Sequence, residues 1–202
     1  MGGDLVITFK SKEDVQTVED VYAEVNARYI AALMFHDQMA DYFDFLGLHG
    51  YKRIHEHQYY GESRERRKLN RYYINHHGRL IPDRFTGTVN MIPDGWLTAN
   101  RISVGRSTKQ KAVEDGFNAY REWEAETKKL YENYSKKLRD LGAVSDAVFL
   151  ESMVEDVSEE LKRLERIITD LISAGYDMVY VVESQKKLHD KYKAEEKRWD
   201  NE

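Results

Sequence analysis

Apolar residues return at alternating three- and four-residue steps along most of this chain, the period of helices that bury one face. The first run is Val18, Tyr22, Val25, Tyr29, Ala32, His36, Met39 and Phe43, which predicts a long helix from about Glu13 to Phe45. Ser11 and Asp14 make a capping-box-like start, with Asp in place of Glu, and Gly47 supplies the stop. Gly50 opens a second helix that lasts to about His77, where Gly78 ends it. The connection is so short that the two helices should pack as an antiparallel hairpin. A third helix is expected over about Lys111–Leu141, with the stripe Phe117, Tyr120, Glu124, Thr127, Tyr131, Tyr134, Leu138 and Leu141. Gly142 stops it, and Ser145 is the expected N-cap of a fourth helix to about Ala174, striped Phe149, Met153, Val157, Glu160, Leu164, Ile168 and Leu171.

Between the two hairpins, Arg79 to about Thr108 holds both prolines and several glycines and breaks the pattern. Hairpin, long crossover, hairpin is the order of an all-α four-helix bundle with one overhand connection. The expected organisation is an N-terminal arm over 1–12 and a bundle over 13–176, with an inserted irregular segment at 80–110 inside it. A short C-terminal helix or tail over 177–202 completes it.

The 202 residues suffice for a substantial core, and a 33% share of charged residues fits helices with solvated outer faces. A net charge of -5 argues against a general nucleic-acid binder. The longest apolar run, Tyr29–Phe35, is far short of a membrane span, and MGGDLVITFK lacks the layout of a signal peptide. A cytoplasmic location is therefore expected. The chain contains no cysteine, which excludes disulfides, thiolate metal sites and thiol nucleophiles.

The chemistry lies where the stripes turn acidic. On the second helix Ile54, Gln58, Glu62, Glu65, Leu69 and Tyr72 share a face, so two carboxylates sit in the middle of an otherwise core-facing stripe. Glu124 and Glu160 hold the same place on the third and fourth helices. Four carboxylates converging inside a bundle must be relieved by protonation, a buried cation or a bound metal. Oxygen ligands of this kind suit iron, manganese or magnesium. His55 and His57 lie two apart on a helix and point to different faces, so no zinc site is assigned to that pair.

At these residues the sequence resembles the bacterial and animal ferritins. AALMFHDQMADYFDFLGLHGYKRI is similar to the end of the family's first helix and the following turn, with Gly47-Leu48-His49-Gly50-Tyr51 at a usual Gly-Leu-Glu-Gly-Phe pattern. HHGRLIP, His76–Pro82, resembles the end of the second helix, and the spacing from Glu124 to Glu155-Asp156-Val157-Ser158-Glu159-Glu160 fits the third and fourth. The resemblance spans about Val21–Arg79 and Phe117–Ala174, leaves out Phe85–Gln110 and is loose after Gly175.

The resemblance implies an iron-binding protein whose interior carboxylates oxidise and store iron in a homo-oligomeric shell. Non-haem iron is the expected metal, with manganese or another divalent ion as alternatives. In the family's Glu-x-x-His pattern Glu62 matches and Glu65 stands at the histidine. Glu124 corresponds to the third-helix glutamate, Val157 stands at a glutamine position, and Glu160 corresponds to an extra ligand of bacterial members. The first-helix glutamate falls on Tyr29, or on Arg28 after a one-residue slip, and a family tyrosine falls on His36. The implied metal set is thus Glu62, Glu65, Glu124 and Glu160, with His36 and Tyr29 as replacements. It describes an altered ferroxidase centre or a single-metal site. The alternative is a structural or interaction protein of this fold without ferroxidase activity.

Overall fold

The structure is a computed structural model that describes residues 9–85, 92, 100 and 104–199, with side chains to 193. Most of the expected N-terminal arm at 1–12 and of the expected insertion at 80–110 fall outside these residues, as does the end of the tail. The described residues form helices α1 (Val18–Phe45), α2 (His49–His77), α3 (Arg106–Asp140), α4 (Val144–Ser173) and α5 (Met178–Trp199). The architecture is all-α. Helix α1 packs on α2 and α3, α3 on α4, and α5 on α2. No helix among the described residues is long and apolar enough to cross a membrane.

The turn chemistry explains both hairpins. Gly47 adopts φ 70°, so its N–H bonds Asp44 O at 2.9 Å and that of Leu48 reaches Phe43 O at 2.9 Å. This is a Schellman turn, and only glycine enters it without a Cβ penalty. Gly142 repeats it between α3 and α4, with φ 76° and Ala143 N–H on Leu138 O. That turn feeds straight into α4 at Val144, so Ser145 does not cap; the N-cap position is Ala143 and has no side-chain cap.

Two other helix starts differ from expectation. Ser11 and Asp14 do bond each other, at 2.6 Å, but they close a turn that drops Val15 into the core. The capping box belongs to the next Thr-x-x-Asp, Thr17 and Asp20, whose side chain and backbone groups bond reciprocally at 3.1 Å. Helix α3 begins five residues before its expected start at Lys111, because Arg106 pairs with Asp177 and Gln110 donates to Tyr176 O at 3.1 Å. Those bonds tie its first turns to the α4–α5 connection.

The C-terminal helix packs inward. Val181 and Tyr192 join the core, and the α5 backbone crosses α2 so closely that a Cβ on Gly50 would lie 1.7 Å from Gln185 O. Gly50 is therefore a contact glycine inside the first turn of α2 rather than the residue that opens it.

Candidate metal centre

Helix α1 is buried on nearly every side, so its apolar stripe is wider than one face. That burial carries polar residues into the core, among them Arg28 at 2% exposure and His36 at 0%. His36 meets His55 of α2, Nδ1 to Nδ1, at 3.0 Å. Tyr120 of α3 lays its ring against both imidazoles, with centroids 5.4 and 4.8 Å away. The other nitrogen of His36, Nε2, is buried with no hydrogen-bond partner and points toward Glu124, 3.9 Å from Oε1. A buried polar atom left without a partner costs on the order of 1–3 kcal/mol, so it calls for an explanation.

His36, Glu62 and Glu124 each bring one ligand-capable atom to the same point, all within 4.8 Å of one another. Three helices supply the three groups. Burial forces the charged forms out: His36 is held neutral, well below its ordinary range, by burial and then by His55. His55 is pushed down to about 3 by burial. Glu62 is pushed up to about 8, first by burial and then by Glu65 and Glu160, with the Arg28 charge opposing. Glu124 is raised well above the usual carboxyl range by burial, Glu62 and Glu160, again against Arg28. One neutral imidazole and two carboxyls that can give up protons are a donor set for a divalent transition metal such as iron or manganese. If His36 Nδ1 donates to His55, its Nε2 carries a lone pair aimed between the carboxylates, the second-shell arrangement that orients metal-bound histidines. The residues present fit a metal.

The other expected ligands surround this point without joining it. Glu160 is already engaged: Tyr120 OH donates to Oε1 at 3.0 Å and Arg163 Nη1 lies 3.0 Å from Oε2. Glu65 accepts from Lys68 Nζ at 3.1 Å near the surface. Tyr29 is buried beside Tyr131, with ring centroids 6.0 Å apart. Together with Glu62, Glu124 and Val157, these residues line a cavity of about 140 Å³.

Sequence reasoning set His55 aside because it cannot share an ion with His57. Its true neighbour lies across the helix pair, and the missed signal is that His55 precedes Glu62 by two turns on one face. Arg28 entered only as a register slip. Its guanidinium stacks on Trp123, 3.5 Å from the ring centre, donates from Nε and Nη2 to Thr127 Oγ1 at 2.9 and 2.7 Å, and reaches Trp123 O at 2.8 Å.

Two solved structures share this architecture, both crystal structures of an open pore ferritin from the hyperthermophilic archaeon Archaeoglobus fulgidus. One superposes with a TM-score of 0.68 at 20% identity, covering 85% of this chain and 93% of that one. The other gives 0.64 at 19% identity, covering 86% and 98%. The fold is ferritin-like. No family model and no curated protein matches the sequence. At this identity the likeness establishes the fold, and the chemistry of the ferritin-like bundle rests on its own side chains.

Proposed function

We propose that this ferritin-like protein takes up iron at one interior site held by His36 Nε2, Glu62 and Glu124, as part of oxidising and storing it in a multi-subunit assembly. The observation that carries the reading is the buried, unpartnered Nε2 of His36 facing two carboxyls. Iron is the cargo: each ferrous ion gives up one electron on becoming ferric, with dioxygen as the acceptor. The chain binds it by supplying a neutral imidazole and by releasing protons from Glu62 and Glu124. Tyr120 and Arg163 hold Glu160 at the edge of the same cavity, and Glu65 and Asp156 line its surface end. Their negative charge favours cation entry.

A second reading, a ferritin fold kept for its architecture, is favoured by Arg28, whose charge already offsets the interior acids. Aerobic ferrous titration of metal-stripped protein separates the two, following ferric absorbance and iron bound per chain against a protein-free blank. Saturable binding with oxidation faster than the blank, by a particle far larger than the 23.8 kDa chain in light scattering, is the expected result. Binding without acceleration would remove the oxidation step, and a monomer or dimer would remove storage. No binding would leave the architectural reading.

A further inference from the structure

Helices α2 and α4 face each other without packing directly, unlike the partners within each hairpin. The seam between them is closed at both ends. Towards the α3–α4 turn, Tyr72 stacks on Phe149 with ring centroids 3.8 Å apart, and His77 Nε2 lies 2.8 Å from Asp146 Oδ1. At the other end, Tyr192 of α5 shares one core with Ile54 of α2 and Leu164 of α4. Between these closures lies the 140 Å³ cavity, walled by the Gln58–Glu65 stretch of α2 and the Met153–Glu160 stretch of α4. Its lining runs from Glu124, 3% exposed, to Asp156, whose side chain is 59% exposed, so it joins the ligands to the surface.

Gly61 stands in this wall, and neither backbone nor packing requires a glycine there. It sits inside α2, where glycine weakens a helix, and it has no positive φ. Gly50 and Gly116, the other glycines within the described helices, are each pressed against a neighbour, Gln185 O and the Phe43 ring. A Cβ on Gly61 would meet nothing closer than Gln58 Oε1, at 3.7 Å. What the missing side chain leaves is space in the seam. Beside that space Lys68 bridges the two helices, with Nζ 3.1 Å from Glu65 Oε2 and 3.7 Å from Asp156 Oδ2. Ion pairs this exposed are weak, so another cation can take the ammonium's place.

We propose that an ion reaches the His36–Glu62–Glu124 centre through the α2–α4 seam, past Gly61, and that Lys68 is the cation it displaces at the mouth. The inference rests on the metal reading above. Its test is anaerobic Mn(II) binding to the full chain as wild type, Gly61→Leu and Lys68→Met. Stopped-flow tryptophan fluorescence follows uptake, since Trp123 adjoins Glu124 in the chain. Excess chelator gives the release rate, and calorimetry gives the affinity.

Gly61→Leu should slow uptake and release together by at least about tenfold while affinity stays within about twofold, because a plugged path changes rates and not the equilibrium. It should melt no lower than wild type, since leucine is the better helix former. Lys68→Met should speed uptake about threefold at low salt and less at high salt, because the lost charge is exposed and screened. Wild-type rates in a folded Gly61→Leu would overturn the route and leave the metal reading standing. If that variant melts lower or binds more weakly, the leucine has disturbed Glu62, and Lys68→Met decides. Faster, salt-dependent uptake then supports the route, and wild-type rates overturn it. If wild type binds no Mn(II), the metal reading fails and the route fails with it.

Discussion

Two buried polar clusters in this bundle are built from the same residue types and end differently. Near the α3–α4 turn, Asp146 accepts from Tyr22 OH at 2.7 Å and meets His77 Nε2 at 2.8 Å, so an acid, a phenol and an imidazole tie α1, α2 and α4 together. That cluster is closed around one carboxylate oxygen. At mid-bundle an imidazole, two acids and a nearby tyrosine also converge, but His36 Nε2 is left without a partner. A fold that can satisfy a buried Asp–Tyr pair with a half-buried imidazole at one level could satisfy such a group at another. Closure makes a strut, and the absence of closure leaves coordination capacity.

The largest effect that should separate them is loss of a carboxylate from the open cluster. Glu124→Gln or Glu62→Gln is expected to weaken Mn(II) binding by more than about 100-fold, measured calorimetrically. The metal-free melting temperature should hold or rise at pH 7, because the amide resembles the protonated acid already favoured there. Asp146→Ala should do the reverse. It leaves Tyr22 and His77 unpaired and should cost about 2–4 kcal/mol in denaturant unfolding, while Mn(II) affinity changes by less than about twofold.

A smaller and graded effect comes from pH. Glu62 has a folded value of about 8 against an ordinary 4.5, so the folded, metal-free protein holds this proton more tightly than the unfolded chain. Its contribution to stability is full below pH 4.5 and lost as pH rises through 8. The metal-free melting temperature should therefore fall as pH rises from about 7.5 through 8, a window in which His36 and His55 are largely neutral whether folded or not. Metal affinity should rise over the same window, by about tenfold per pH unit for each proton displaced. The smallest effect expected is from His55→Phe. Losing the bond to His36 Nδ1 should weaken Mn(II) binding by about 10-fold and broaden the Co(II) absorption bands as His36 loses its fixed orientation.

Much of the fold was legible in the chain. Glycine after each apolar run marks the stops because a left-handed residue is a local requirement, and the Gly47 and Gly142 turns follow directly from it. Helix starts were less legible, since a Ser-x-x-Asp can close a turn as well as cap a helix, and only packing decides between Ser11 and Thr17. At the candidate site, placing Glu62, Glu124 and His36 on inward faces needed nothing beyond helical period. Separating them from Glu65, Glu160 and Tyr29 needed partners such as Lys68, Tyr120 and Tyr131, which sequence spacing cannot supply. His55 and Arg28 were illegible for one reason. Their significance lies in what faces them from another helix, and α1 is buried too broadly for a single stripe to single out Arg28.

The most direct measurement is an anomalous difference map at the iron edge from crystals grown metal-free and soaked anaerobically in Fe(II). One strong peak should appear per chain, about 2.0–2.3 Å from His36 Nε2 and in contact with carboxylate oxygens of Glu62 and Glu124. Iron bound elsewhere in the cavity with His36 Nε2 still uncoordinated, or no interior peak at all, would contradict the account.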